Sequence, residues 1–289
     1  MITLYTQNFV KILPDIYAVK SLFLSTFGGA LQVKDGVSET DKFMELKTID
    51  ADVTIQDYST DANVGFLTGT GNTTRFGPRK EIKAVNSQIE YEAPLAIHEG
   101  IDNMTVNENP QRVIAERLAK HAEAWTEHIN AFLSKALSDA ASETLTGELT
   151  EGGVAKVFSE AHAKFVNNKV DTALVKRAYV SPAVFNLIME SKLTTTAKHS
   201  SADIDNNTIT KFKGFVIEEL ADSYFQSGEN VMFAVDNVGV VGVGVHVART
   251  YESEDFAGVA LQGAAKYAKH IPEKNNKGIL KATLTEAGV

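Results

Sequence analysis

His121 and His128 come nearest to a metal-binding pattern, because Glu123 and Glu127 lie between them on a stretch with helical periodicity. A zinc-protease helix places its two histidines four residues apart, so that both imidazoles and a glutamate share one face. These two are seven apart, which suits surface or packing roles. His98, His162, His199, His246 and His270 show no mutual ligand spacing. Gly69-Thr-Gly71 lacks the Gly-Lys-Ser/Thr ending that holds phosphate and magnesium, and Gly239, Gly242 and Gly244 lack the spacing of a dinucleotide fold. The second group reads instead as a β-bulge or a close strand contact. Glu218-Glu219 and Glu252 to Asp255 supply carboxylates, but spacing alone selects no acid–base pair. No serine sits in a nucleophile elbow, and the absence of cysteine removes thiolate chemistry and disulfides. The residues therefore point to no catalytic, cofactor or metal site, and not to an enzyme.

The charge balance narrows the partners. The formal net charge is −9, whereas proteins that grip nucleic acid neutralise phosphates with a basic surface. Arg75, Arg79, Lys80 and Lys83 form a small basic strip that reads more simply as a solvated loop. The longest apolar stretch near the start, Leu22 to Phe27, is too short to span a bilayer and follows Asp15 rather than a basic leader. A soluble, intracellular chain is the expectation.

The elements that would position these residues follow in order. Phe9, Val10, Ile12 and Leu13 form one apolar cluster; Ile16, Val19, Leu22, Phe23 and Phe27 form another at helical spacing, ended by Gly28-Gly29. The polar run Lys34 to Lys42 separates this arm from the rest. Residues 52–93 read as a long β-hairpin, with Val53 and Ile55 alternating on one side and Ile89 and Tyr91 on the other. It holds too few apolar positions for a core of its own. An isolated two-stranded hairpin is marginal in water, so it must fold onto its own domain or onto another copy.

Asn109 and Pro110 suit a helix start, and no further proline or glycine follows until Gly147. Ile114, Leu118, Ala122, Trp125, Ile129, Leu133 and Ala136 make an apolar stripe at steps of three and four. A helix from Pro110 to about Ala140 would be roughly 45 Å long at about 1.5 Å per residue. A second amphipathic helix follows Gly152-Gly153, with Val154, Val157, Phe158, Ala161 and Phe165 on one face. Further expectations are a strand at 173–180, a short helix from Ser181-Pro182 to Met189, and strands at 208–212 and 215–220 turned at Lys213-Gly214. Val231 to Val235 and Val238 to Ala248 read as buried strands, and Gly258 to His270 with Ile279 to Leu284 as a closing strand pair. The class is α+β.

This order of elements resembles the major capsid proteins of tailed bacteriophages, the Hong Kong 97-like fold. The resemblance rests on the arm, hairpin and long helix, and on Arg177-Ala-Tyr-Val-Ser-Pro-Ala-Val-Phe-Asn-Leu-Ile188, Lys213 to Ile217, Asn230 to Val235, Val245 to Tyr251 and Val259 to Tyr267. It implies an N-terminal arm over residues 1–50, an extended E-loop hairpin over 51–95, and a peripheral domain with the spine helix over 96–145. A mainly axial domain over 146–245 and closing strands over 246–289 complete it. Implied contact residues are Phe66, Leu67, Arg75, Phe76, Arg79 and Lys80 in the hairpin, and Phe9, Ile12 and Leu13 in the arm. Ile114, Leu118, Trp125 and Ile129 would line the spine helix.

The implied function is an icosahedral head shell, self-assembled from pentamers and hexamers in the host cytoplasm and carried in the virion. It would enclose double-stranded DNA without binding it specifically. The implied partners are a separate scaffold, a portal and, in some members, decoration proteins, with no membrane and no cofactor. Some members crosslink a lysine to an asparagine; Lys80 or Lys83 with Asn275 or Asn276 are the corresponding candidates. An encapsulin-type nanocompartment shell, or another oligomeric phage structural protein, is the alternative.

Overall fold

The longest amphipathic run of the sequence becomes the longest helix of the fold. A computed structural model describes residues 21–49, 53–62, 64–65, 74–79, 81–105, 110–191, 202–203 and 208–286. In it α1 spans Pro110–Ala140, 31 residues without a break. Its apolar stripe is buried only from Ala122 onward, through Trp125, Ile129, Leu133, Ala136 and Leu137. Ile114 and Leu118 are half-buried, and no residue from Gln111 to Lys120 is buried.

Two units are distinguished by packing: residues 1–41 with 91–289, and residues 42–90. Among the described residues the larger unit is built on two main sheets, with a short separate ladder of β7 (Ala202–Asp203) and β8 (Thr208–Ile209). A six-stranded sheet runs in the order β5 (Glu143–Glu148), β14 (Ile279–Thr285), β11 (Val231–Val235), β6 (Lys176–Val180), β10 (Phe215–Glu219) and β9 (Lys211–Phe212). A four-stranded sheet runs β1 (Gln32–Asp35), β12 (Val240–Glu252), β13 (Gly258–His270) and β4 (Leu95–Asp102).

Alternation along the central strands explains the layering. In β11, Val231 and Phe233 face one core while Met232 and Ala234 face another, so every residue of the strand is buried. The first side is covered by α2 (Glu151–Asn167) and α3 (Pro182–Glu190), the second by α1 and the four-stranded sheet. A strand buried on both faces needs a continuous apolar run, and Val-Met-Phe-Ala-Val supplies it. All five residues expected on the buried face of α2 are buried there. Phe158 is the hub of that core, edge-on to Phe212, Phe215 and Phe233 at 5.1, 5.7 and 5.0 Å between ring centroids.

Local signals set the turns. Ser181 is the N-cap of α3 with proline in its first turn, although its hydroxyl makes no capping bond. Lys213 and Gly214 both take positive φ, 47° and 89°, the pattern of the tight turn that matches strand twist, and Phe212 pairs with Phe215 across it. Leu24 and Phe27 pack with Phe23 in a single turn after Ser21, and the Gly29 amide closes it on the Leu24 carbonyl at 2.8 Å. Ile16, Val19 and the first apolar cluster lie outside the described residues.

Three expectations are corrected. The strand pairing with β3 (Val85–Glu90) is β2 (Lys42–Thr48), not the segment around Val53 and Ile55. The polar run from Lys34 is not a bare separator, because Gln32–Asp35 pairs in parallel with Gly242–Val245. Finally, β13 and β14 do not pair with each other. The turn at Glu273–Gly278 carries the chain from one sheet to the other, where β14 lies between β11 and β5. Apolar alternation marks a strand but does not name its neighbour.

The glycine cluster is structural. A Cβ on Gly244 would press on Val37 Cγ2 at 2.8 Å, which is a close strand contact. One register shift between Val245 and Val247 leaves His246 bulged, its Nδ1 2.8 Å from the Val37 carbonyl oxygen. The bulge flips the pleat, so that Val241, Val243 and Val245 face the core and then Ala248 does.

Candidate assembly surface

Residues 42–90 have a ladder but no core. β2 and β3 pair antiparallel from Thr48 opposite Val85 to Lys42 opposite Glu90, with one irregularity between Lys42 and Met44. Not one described residue of this unit is buried. Among the described residues eleven large apolar side chains stand exposed, and seven of them belong to it: Ile49, Val53, Ile55, Tyr58, Phe76, Ile82 and Val85. Scattered exposed apolar residues are ordinary, but a concentration of this kind marks an interaction site.

The unit is nonetheless braced by polar contacts. Arg75 donates from Nε to the Val64 carbonyl oxygen at 2.9 Å and from a terminal nitrogen to that of Asp61 at 3.4 Å. The Ser59 amide donates to the Arg75 carbonyl at 3.0 Å, and the Gln56 side chain to that of Pro78 at 3.1 Å. Tyr58 and Phe76 meet edge to face at 5.2 Å. The outgoing and returning limbs are thus tied through backbone carbonyls, which fixes their path without burying their apolar side chains.

Of the residues expected at a contact, Phe76 is 76% exposed and Arg79 is exposed, while Arg75 serves as the internal brace. Phe66, Leu67, Lys80, Phe9, Ile12 and Leu13 lie outside the described residues. Trp125 and Ile129 are core residues of α1. Sequence reading placed Val53 and Ile55 in a paired strand; they are instead 93% and 96% exposed, each a larger fraction than Phe76. Their period-two alternation was visible, whereas the lack of a ladder partner among the described residues was not. Asn275 commits its side-chain amide to the Val238 carbonyl at 2.7 Å.

In the larger unit, an ion cluster fixes the poorly buried start of α1. Arg117 donates from Nε to Glu99 Oε2 at 2.8 Å and from a second guanidinium nitrogen to Oε1, and His121 Nε2 lies 2.9 Å from Oε2. The hydrogen-bonded Arg117 guanidinium, aided by His121, holds the Glu99 carboxyl down to about 2. His121 thus packs against a carboxylate, and His128 packs its ring at 5.2 Å from Tyr267.

Two clefts stand out among the described residues of the larger unit. One, between Leu118 and His121 of α1 and Leu261 of β13, has about 20 Å³ of room, near the volume of a single water. The other, about 210 Å³, has Asp171 and Asp236 on its wall, but Asp236 is engaged by Arg177 Nε at 2.6 Å. Among the described residues no group of three or more His, Asp or Glu is placed to hold a metal ion. No helix among them is long and apolar enough to cross a membrane.

No family model matches the sequence, and no curated protein aligns with it significantly. Solved structures do match. The mature capsid of bacteriophage PhiM1 superposes with a TM-score of 0.66 at 11% identity, over 93% of this chain and 88% of that one. The capsid of cyanophage P-SCSP1u gives 0.64 at 10% identity, over 89% and 87%. The chain has the phage capsid fold. The capsid of Ralstonia phage GP4 shares it, with a TM-score of 0.57 at 10% identity over 93% and 92% of the two chains. The likeness therefore extends along nearly all of each chain. At such identities it is a likeness of fold rather than of shared side chains.

Proposed function

We propose that this chain is the structural subunit of a tailed-phage head, assembling with copies of itself into an icosahedral shell around the genome. One observation carries the reading: a 42–90 unit that has no buried residue among those described yet exposes seven large apolar side chains. The capsid fold supplies the context in which such surface is covered by neighbouring copies.

In this reading residues 1–50 are the N-terminal arm and 51–95 the E-loop. α1 is the spine of a peripheral domain over 96–145, residues 146–245 form most of the axial domain, and 246–289 close the sheets. The axial domain gathers with its counterparts around five- and six-fold centres, making pentamers and hexamers through ring-closing contacts. The shell is a virion component with no catalytic role. Scaffold, portal and decoration proteins are its expected partners. The net charge of −9 suits an inner wall that encloses DNA without gripping it.

Burial of the hairpin's apolar side chains contributes roughly 25 cal/mol per Å² removed from water. Contacts of this size, repeated around a closed lattice, hold by multivalency. Negative-stain microscopy and sedimentation of the purified chain test the proposal: closed shells are expected, and small rings or stable monomers at high concentration oppose it. Deleting Gly65 to Pro78 should leave a folded body that makes no particles. Normal particles from that deletion would remove the hairpin from the mechanism.

A further inference from the structure

Within the 42–90 unit, Val53–Asp57 has the pattern of a strand and no ladder with another described segment. Val53 and Ile55 alternate with Thr54 and Gln56, the period of a strand with one apolar face. No backbone hydrogen bond joins these residues to another described residue. Their own chain leads them away from β2, because Gln56 and Ser59 are bonded to Pro78 and Arg75 of the returning limb.

β2, meanwhile, has β3 along one edge and no described strand along the other. Its pairing with β3 sorts its faces. Met44 lies opposite Ile89 and Leu46 opposite Ser87 on one face; Glu45 lies opposite Gln88 and Lys47 opposite Asn86 on the other. A two-stranded ribbon is marginal, and a third strand is what stabilises such sheets.

We propose that Val53–Asp57 is an intersubunit strand that adds, in a second copy, to the edge of β2 that no described strand covers. This deepens the shell-subunit reading and rests on it. The fitting register is antiparallel, with Met44 opposite Ile55 and Leu46 opposite Val53. It puts four apolar side chains on one face, sets Glu45 beside Thr54, and opposes no like charges. It also brings Asp57 toward Lys42 near the irregularity in β2. Seen from the second copy the same pairs recur, so the contact is isologous about a two-fold axis. The apolar positions change from even numbers in β2 to odd numbers in the segment, and the ladder with β3 ends between them at Thr48, where the pleat can reset. Main-chain pairing supplies affinity and the alternating side chains supply register, as in other strand-addition contacts.

The chain has no cysteine, so Leu46→Cys with Val53→Cys introduces its only two thiols. Opposed Cα atoms in an antiparallel ladder are about 4.5–5.5 Å apart, within disulfide reach. Mildly oxidised particles of the double variant should run as covalent dimers on a non-reducing gel, and each single variant as monomers. Deuterium exchange on the wild-type chain is the second readout. Amides of 53–57 should exchange at least about tenfold more slowly in particles than in free subunits, and this measurement decides if the double variant fails to assemble. Wild-type particles whose 53–57 amides exchange as in the free subunit overturn the contact and leave the shell reading standing, as do thiols linked within one chain. A wild-type chain that forms no particles overturns both.

Discussion

Replacing Ile55 with aspartate separates the stability of one subunit from its ability to assemble. Ile55 is 96% exposed, so the change removes almost no native packing, and a surface substitution of this kind typically shifts stability by no more than about 0.5 kcal/mol. For a chain of this size that is about 1–2 °C in Tm. In the proposed shell the same side chain would be covered, and fully burying an isoleucine contributes about 1.5–3 kcal/mol. Aspartate forfeits this and adds the cost of desolvating a charge. Each 1.4 kcal/mol is about tenfold in an equilibrium constant. The critical concentration for particle formation should therefore rise at least about tenfold to a hundredfold, and more where each subunit uses the contact twice. The paired assay is thermal unfolding of the free subunit below its critical concentration, with light scattering against concentration for assembly. A drop in Tm of about 5 °C or more would mean that Ile55 belongs to a core. An unchanged critical concentration would mean that the exposed surface of the hairpin unit is not what joins the copies.

Phe158→Ala should have the opposite signature, lowering the urea midpoint by the equivalent of about 3–5 kcal/mol, because the ring packs on three other phenylalanines. Gly258→Ala should loosen the end of the β4–β13 ladder, since a Cβ there would overlap the Ile101 carbonyl; faster amide exchange at Ile101 and Val259 would report it, and unchanged exchange would oppose it. Glu99→Gln should cost about 1 kcal/mol at neutral pH, a modest value because Arg117 is half exposed. The Glu99 carboxyl is held below its ordinary range in the folded chain, so its contribution is complete above about pH 4.5 and fades as pH falls toward about 2. Melting curves of the two proteins should therefore converge in acid, and a constant gap down to pH 2 would contradict the assignment.

Much of the body was legible in the residues. The stripe that begins at Ile114, the absence of glycine and proline from Gln111 to Thr146, and Pro110 at the helix start define α1 from end to end. The five apolar positions of α2 and the Lys213-Gly214 turn were equally plain, because both are written in periods and backbone preferences only a few residues long. Strand partners were not legible. Ile279 to Leu284 reads as a strand wherever it pairs, and nothing in its own side chains says that it lies between β11 and β5 rather than beside β13.

The candidate assembly surface divides along the same line. Sequence alone gave the sparse apolar content of the hairpin, the α+β order of elements and the lack of any spaced catalytic set. Only the tertiary structure revealed that Val53 and Ile55 have no ladder partner among the described residues, that Arg75 binds its own hairpin, and that α1 is buried only beyond its first third. The physical reason is range. Helix periodicity and turn chemistry act over about four residues and leave their mark in consecutive letters. Strand pairing and burial depend on which distant segment arrives alongside, and one alternating pattern fits several partners equally well.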